Sequence, residues 1–237
     1  MTNVLVLVQD SADELSLARP TDISDTSDDN TAQKLVRHLT RTCRLLASSY
    51  DWTRLRREKT LVTTATETQT GAIPSDFARF VQGTLWNRTR RAVVNGPLPP
   101  DDWQTRKAVL VNGSFGNFCI RGTSFLMTPV PPAGQTIAYE YITNYIAVNA
   151  SGTTEMTTYT ADDDQPYFDD ELIILGTVWR YRKAEGLDYA EEFRQFEMRR
   201  ADMIKMDGGR RRLNMNGDKL DRPINTTYTE IADIFTV

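Results

Sequence analysis

The feature that most constrains this chain is an apolar stripe that recurs at helical spacing between residues 35 and 50. Its members follow one another at intervals of four, four, three and four residues: Leu35, Leu39, Cys43, Leu46 and Tyr50. This period predicts an amphipathic helix over residues 29–50. Three basic residues lie off the stripe and are expected to face solvent or a neighbouring molecule: Arg37, Arg41 and Arg44. One stripe cannot bury itself, so other elements must cover it.

Three further segments are expected to be helical. The first 17 residues carry apolar side chains at the spacing of a short helix, although the run 4–8 could also form a strand. Residues 167–184 and 188–206 show the helical period again, and Gly186 separates them. Because so short a connection brings consecutive helices back on each other, these two segments are expected to form an antiparallel hairpin.

Between the helical segments, residues 58–160 are rich in Thr, Val, Ile and aromatic residues and are punctuated by Gly and Pro. Three strand candidates stand close together at 115–121, 124–128 and 135–142, with turn residues between them. Their spacing is typical of an antiparallel meander. Shorter strands are expected earlier in the same region, and the Pro-Pro-Asp-Asp-Trp sequence at 99–103 is typical of a helix start.

The predicted fold class is therefore α+β. Residues 1–56 and 165–208 are expected to form a helical bundle, made of two N-terminal helices and the C-terminal hairpin. Residues 57–164 are expected to be an inserted antiparallel β domain, and residues 209–237 an extended C-terminal tail. Four large apolar residues are expected to join the two helical blocks as an inter-helix core: Trp52, Leu55, Trp179 and Tyr189.

The composition argues against several classes of protein. The formal net charge of -4 disfavours a protein that mainly grips nucleic acid, because neutralising phosphates requires a basic surface. The longest aliphatic run, 4–8, is far shorter than the roughly 20 residues of a membrane span, and no secretory signal is apparent. The only histidine is His38, and Cys43 and Cys119 are expected to be buried thiols, so no metal site or cofactor is predicted.

Two acidic runs, 162–164 and 169–171, are the strongest candidates for chemistry. Carboxylates could bind calcium or magnesium, or act as a pair in a hydrolase. We favour a structural interpretation, in which these acids flank the start of the helix near residue 167 and stabilise its positive end. The spacing does not match an EF-hand, and no phosphate-binding loop or nucleophile elbow is present.

The C-terminal stretch carries the sharpest basic run and an apolar end. Arg210, Arg211 and Arg212 could pair with an acidic protein surface, bind nucleic acid, or remain solvated. Leaving the apolar end in water costs about 25 cal/mol per Å² of exposed surface, so it either packs back on its own domain or becomes ordered on a partner. The residues of this apolar end are Tyr228, Ile231, Ile234 and Phe235.

Several short motifs occur together in a recognisable order. They are Asp51-Trp52-Thr53-Arg54-Leu55, Ile73-Pro74-Ser75-Asp76-Phe77-Ala78-Arg79, Phe118-Cys119-Ile120-Arg121-Gly122, Tyr139-Glu140-Tyr141-Ile142, and Trp179-Arg180 with the run from Lys183 to Glu192. In order and spacing they resemble the head-to-tail adaptor (connector) proteins of tailed phages, especially short-tailed ones. The resemblance covers residues 1–206.

The resemblance implies a structural, non-enzymatic virion protein at the head-tail interface. It implies a homo-oligomeric ring, usually of about twelve copies, beneath the portal protein. It further implies that residues 209–237 dock on the portal and that the β domain faces tail nozzle, tube or fibre proteins. Double-stranded DNA would pass through the ring without sequence-specific binding. Two alternatives remain open, namely a tail-associated cell-wall hydrolase that uses the acids at 162–171 and a DNA-binding module that uses residues 210–212.

Overall fold

The computed structural model of the protein describes residues 2–24, 30–108 and 116–208. Within these ranges the chain is an α+β protein with antiparallel sheets, which confirms the predicted class. The helices are α1 (Val4–Glu14), α2 (Thr31–Ser49), α3 (Pro100–Ala108), α4 (Asp170–Ala184) and α5 (Ala190–Met206). None of these helices is long and apolar enough to cross a membrane.

The strands are short, apart from two that reach seven or eight residues. In chain order they are β1 (Arg56–Val62), β2 (Thr68–Gln69), β3 (Phe77–Phe80), β4 (Trp86–Asn87), β5 (Ala92–Val93), β6 (Asn117–Arg121), β7 (Ser124–Thr128), β8 (Thr136–Thr143), β9 (Ala147–Val148), β10 (Glu155–Met156) and β11 (Gln165–Pro166).

Contacts divide the chain into two compact units. The helical unit comprises Met1–Arg56 and Thr143–Gly209, and the β-rich unit comprises Arg57–Ile142. The sequence-based boundary at residue 164 differs from this division. Ile146, Ala147 and Tyr159 lie in the same apolar core as α1 and α2, so the segment 143–164 belongs with the helices despite its polar composition.

The apolar stripe of α2 is buried, as its period predicts. Leu35, Leu39 and Cys43 pack against α1 and α4, while Leu46 packs with residues of α4 and α5. Helix α4 contacts α1, α2 and α5. Because α4 meets three other helices, its own buried residues lie all round its circumference, and its sequence shows only a weak amphipathic pattern.

The residues at which the helices begin and end are set by capping interactions more than by the apolar period. Helix α4 begins at Asp170 because the carboxylate of Asp169 accepts the N–H of Leu172 at 3.1 Å, which ends the preceding loop. The connection to α5 occupies residues 185–189, and Gly186 adopts a left-handed conformation there (φ 74°). The connection is therefore longer than the single glycine that the sequence pattern indicates.

The described residues of the β-rich unit form two sheets. In one, the order is β1-β8-β4-β5, and β3 also pairs with β8. In the other, the order is β2-β7-β6, with Cys119 opposite Leu126 in the hairpin of β6 and β7. The predicted meander is correct for this hairpin and wrong for β8. The outer edge of β7 is taken by β2, with Thr68 opposite Leu126, while β8 pairs in the other sheet.

Aromatic side chains form the centre of the β-rich unit. The ring of Phe125 stacks between those of Phe118 and Tyr139, at centroid distances of 5.1 and 6.0 Å. Helix α3 places Trp103 against Cys119 of β6, where the indole is almost fully buried. The predicted helix start at the Pro-Pro sequence is therefore confirmed, and this helix covers part of the smaller sheet.

Candidate interaction surfaces

The acidic run 162–164 closes a loop against the first helix. The carboxylate of Asp164 is 2% exposed and accepts the backbone N–H groups of Thr160 and Ala161 at 2.7 and 2.9 Å. The carbonyl of the same residue accepts the N–H of Val4 at 2.8 Å, at the first turn of α1. The backbone and side chain of Asp164 thus satisfy donors that would otherwise lack partners.

Asp162 and Asp163 also form hydrogen bonds with the N-terminal part of the chain. The carboxylate of Asp162 accepts the N–H of Ile23 at 2.9 Å, and its carbonyl accepts that of Leu5 at 3.2 Å. Asp163 accepts from the side-chain amide of Asn3 at 3.3 Å. The prediction that residues 162–164 flank the C-terminal helix is therefore wrong, since they support α1. Long-range pairing of this kind leaves no periodic signal in a sequence.

The second acidic run does lie at the predicted helix start. Asp169 caps α4 and also accepts two hydrogen bonds from the guanidinium of Arg199 on α5, at 3.0 and 2.9 Å. Asp170 accepts the hydroxyl hydrogen of Thr2. Among the described residues, no group of three or more His, Cys, Asp or Glu side chains could hold a metal ion.

Replacing Asp164 with alanine is expected to lower the free energy of unfolding by about 2 kcal/mol, because the N–H groups of Thr160 and Ala161 lose a buried, charged acceptor. Asp163→Ala is the matched control, because its exposed carboxylate makes one long hydrogen bond, and it should change stability by less than about 0.5 kcal/mol. Chemical denaturation followed by circular dichroism measures both values. Equal effects of the two substitutions would contradict the structural role of Asp164.

His38 is half-buried on α2, with its ring edge-on to Tyr181 at 6.3 Å. Burial lowers the pKa of His38 from 6.5, and the positive charges of Arg180, Arg41 and Arg37 lower it further. The imidazole is therefore neutral at physiological pH, and it lies among cations that oppose its protonation. This environment favours a structural role, since a neutral ring adds no charge to a crowded basic surface.

The titration of His38 predicts a pH dependence of stability. Because the folded pKa lies below the unfolded value, the stabilisation is complete above pH 6.5 and is lost as the pH falls through the folded pKa. His38→Gln, which does not titrate, should therefore show a shallower loss of unfolding free energy between neutral and acidic pH. Denaturation curves at a series of pH values test this, and parallel profiles for the two proteins would refute it.

Both cysteines are buried and reduced. Burial raises the pKa of the Cys43 thiol to about 12, although the hydroxyl of Tyr159 donates a hydrogen bond to its sulfur at 3.2 Å. Burial also raises the pKa of Cys119 in β6. Thiols held in this protonated state are poor nucleophiles and poor metal ligands, so the geometry agrees with the interpretation of two packed thiols.

Two of the residues predicted for the inter-helix core meet at the α4–α5 connection. The ring of Trp179 lies 6.2 Å from that of Tyr189, 5.2 Å from Phe193 and 6.2 Å from Phe196. The guanidinium of Arg180 lies 4.4 Å from the indole centroid, within reach of a cation–π interaction. The indole N–H of Trp179 is buried and has no acceptor among the described residues.

The other two predicted residues lie near the end of α2. The indole N–H of Trp52 donates to the carbonyl of Leu46 at 2.7 Å, and its ring stands edge-on to Phe168 at 5.8 Å. Leu55 is fully buried in the 3₁₀ turn Thr53–Leu55. Trp52 and Leu55 thus form a second apolar group, and both residues line a cleft.

This cleft, of about 210 Å³, lies beside the C-terminal end of α5. The carboxylate of Asp207 accepts the N–H of Thr53 at 2.9 Å, which holds the end of α5 against the 3₁₀ turn. Met206 is 74% exposed at the rim. The cleft was not predicted, although two methionines one turn apart could have indicated it. Its lining residues are Trp52, Arg54, Leu55, Tyr167, Phe168, Asp169, Leu172, Met203, Met206 and Asp207.

Two open grooves flank Trp86 in the β-rich unit, with volumes of about 620 and 670 Å³. Both are lined by Gly83 and Trp86. The first also contains Arg88 and Arg91, and the second contains Arg106. The sequence predicted only short strands in this region, and the grooves were not predicted.

Comparison with known protein families tests the resemblance to phage adaptor proteins. The model of the SU10 adaptor proteins matches residues 2–224, nearly the whole chain. The chain belongs to the SU10 adaptor protein family. The resemblance to phage adaptors is thereby confirmed at the level of the family. None of the curated proteins matches the chain.

The family match extends beyond the described residues of this adaptor-family chain. It includes Arg210, Arg211 and Arg212 and ends before the apolar residues at 228–235. All seven residues predicted to dock on the portal lie outside the described part of the structure. Their role in docking stays a prediction.

Proposed function

We propose that the protein is a structural adaptor of a tailed-phage virion, which forms a ring that joins the portal to the tail and continues the DNA channel. The observation that carries this proposal is the match to the adaptor family over residues 2–224. A ring of identical chains is the usual way in which one protein joins two rotationally symmetric assemblies. The protein would then act by assembly, without turnover.

The structure supports a non-enzymatic role by the way it uses its acidic residues. A hydrolase that used the run 162–171 would need carboxylates that face a shared cleft and remain available to substrate. Instead, the buried carboxylate of Asp164 accepts hydrogen bonds from backbone N–H groups, and that of Asp162 accepts one from the N–H of Ile23. Asp169 forms an ion pair with Arg199. These three carboxylates therefore already have structural partners within the chain.

Within the proposed ring, residues 209–237 dock on the portal and the β-rich unit meets the tail proteins. The end of α5 suits this arrangement, because the hydrogen bond from Thr53 to Asp207 holds the last described turn beside an apolar cleft. The chain continues from this turn into the tail. The acidic net charge suits a channel that lets DNA pass, because a strongly basic lining would retain it.

Deletion of residues 209–237 is expected to abolish binding to purified portal rings, because the arginine run and the apolar end are removed together. Negative-stain images and co-sedimentation of the full chain and the truncated chain with portal rings measure this loss. Two variants divide the effect between charge and apolar contact. One carries alanine at Arg210, Arg211 and Arg212, and the other carries alanine at Tyr228, Ile231, Ile234 and Phe235.

The apolar variant is expected to bind less than the arginine variant, since burying aromatic and aliphatic side chains contributes more than exposed ion pairs do. A circular dichroism melt of each variant separates loss of docking from loss of folding. Portal binding that survives the deletion would refute the docking role. A chain that forms no ring, with or without the portal, would refute the proposed function.

A further inference from the structure

A row of three arginines stands on the face of α2 opposite its buried stripe. Arg37, Arg41 and Arg44 follow one another at intervals of four and three residues, and all three are exposed. At 1.5 Å per residue they extend over about 10 Å of the helix. We call these three residues the arginine row.

The arginine row differs in its partners from five other basic residues of the helical unit. On α4 and α5, Arg182, Arg194, Arg199, Arg200 and Lys205 each form an ion pair with a carboxylate within 3 Å. Among the described residues, no carboxylate pairs with any member of the arginine row, and Arg44 donates only to the carbonyl of Thr157 at 3.2 Å.

The positive charge of the arginine row lowers the pKa of two neighbouring basic groups, Arg180 and His38. The positive charge of Arg41 lowers the pKa of Arg180, which is already lowered by burial, and Arg41 and Arg37 both contribute to the lowered pKa of His38. A helix face that holds like charges together without counter-charges is costly, and a bound anionic surface would offset that cost.

The same unit carries an acidic surface made of one exposed carboxylate, Asp163, and two half-buried ones, Asp162 and Asp170. Asp162, Asp163 and Asp170 accept hydrogen bonds from neutral donors, namely the N–H of Ile23 and the side chains of Asn3 and Thr2. No ion pair in the described chain joins any of the three to a cation. We call these three residues the acidic patch.

We propose that the arginine row binds the acidic patch of a second copy of this chain. The inference rests on the proposed ring, because it supplies a contact between neighbouring subunits. A ring requires a heterologous contact, in which two different surfaces of the same chain meet, and this unit presents one surface of each sign. Charge complementarity of this kind sets the register of an interface and excludes wrong pairings.

A protein partner is favoured over DNA by the charge of the unit itself. The ranges 1–56 and 143–209 contain 22 Asp and Glu against 14 Lys and Arg. A body with this excess of negative charge repels a phosphate backbone, whereas a local basic row on it attracts an acidic protein surface at short range. DNA binding by the row is therefore one outcome of the test.

The test is a charge swap in the full-length chain. Mass photometry and sedimentation velocity would follow self-association alone, with portal rings and with double-stranded DNA, at about 0.15 M salt, where charges act over about 8 Å. R37E/R41E/R44E and D162K/D163K/D170K are each expected to weaken self-association roughly 10- to 100-fold. The two sets combined in one chain are expected to restore most of the wild-type association.

The matched control is R19E/R194E/K205E, which makes the same change in net charge at exposed basic residues that already have partners. It should leave self-association within about threefold of wild type. Should the triple lysine variant fail to fold by circular dichroism, D163K replaces it in the swap and is expected to restore part of the association, since Asp163 is exposed.

Three results would overturn the inference. These are variants that assemble like wild type, a combined variant without recovery, and an R37E/R41E/R44E protein that loses only DNA binding. In each of these cases the wild-type chain still forms rings on the portal, so the proposed function stands. A wild-type chain that neither self-associates nor binds portal rings would instead refute the proposed function, and the inference with it.

Discussion

Replacing Phe196 with alanine is expected to lower the free energy of unfolding by about 3–5 kcal/mol, the largest effect of any single substitution considered. Phe196 is 0% exposed and packs with Leu46 of α2 and with Leu172 and Trp179 of α4. Among the residues of α5, it is the one side chain that is fully buried. Its loss would leave a cavity at the point where three helices meet.

Phe193→Ala is the matched control for this substitution. Phe193 lies on the same helix, and its replacement removes the same atoms, but Phe193 is 41% exposed. It should lower stability by less than half as much, because fewer of its atoms leave water on folding. Guanidinium denaturation measures both variants, and hydrogen exchange of the backbone amides in α5 shows whether this helix opens first.

Two results test whether the burial of Phe196 attaches α5 to the other helices. If Phe196 attaches α5, its replacement accelerates exchange over Ala190–Met206 more than over α1. Similar losses of stability for the two phenylalanine variants would show that burial does not determine the difference, and would contradict this account of the core.

Introducing a methyl group at Gly176 is expected to destabilise the same junction by about 2–3 kcal/mol. A Cβ at this position would lie 2.2 Å from Cγ2 of Thr42 and 3.0 Å from Cε2 of Phe196. Such distances require α4 to move away from α2. The intrinsic preference of helices for alanine over glycine acts in the opposite direction, by up to about 1 kcal/mol, and is included in this expectation.

The clash has a specific relief. Thr42→Ser removes the methyl group that the new Cβ would meet and keeps the hydroxyl, which donates to the carbonyl of His38 at 2.9 Å and accepts from Arg180 at 3.1 Å. The double variant Gly176→Ala with Thr42→Ser is therefore expected to recover more than half of the lost stability. Thr42→Ser alone is the control for a double-mutant cycle.

A coupling energy near zero in this cycle would contradict the packing described here. So would a Gly176→Ala protein that is more stable than wild type, since helix propensity would then act without opposition from Thr42. Both results are read from the same denaturation curves as those of the Phe196 variants.

The acidic runs 162–164 and 169–171 show that a sequence can indicate that a residue matters without indicating its role. Asp162 and Asp164 lie two residues apart in a hydrophilic segment, which is compatible with metal binding, catalysis or helix capping. Their tasks depend in part on which distant backbone N–H groups come within about 3 Å, namely that of Ile23 for the carboxylate of Asp162 and that of Val4 for the carbonyl of Asp164. No local pattern specifies such a partner.

The basic residues show the same limit. The helical period was enough to predict that Arg37 and Arg41 lie off the buried stripe of α2. It could not predict that Arg182 pairs with Glu192 and Arg199 with Asp169, while among the described residues the arginine row has no carboxylate partner. Pairing depends on the distance between side chains of different elements, which only the packed structure provides.

By itself, the sequence determined the α+β class, the buried stripe of α2, the hairpin of β6 and β7 and the adaptor family, because helical period, turn residues and motif order are properties of neighbouring residues. Only the tertiary structure decided that β8 leaves the meander, that residues 143–164 join the helices, and that a cleft opens beside α5. These outcomes depend on which distant segments bury each other's apolar surface and satisfy each other's hydrogen bonds, and that competition is settled only when the whole unit packs.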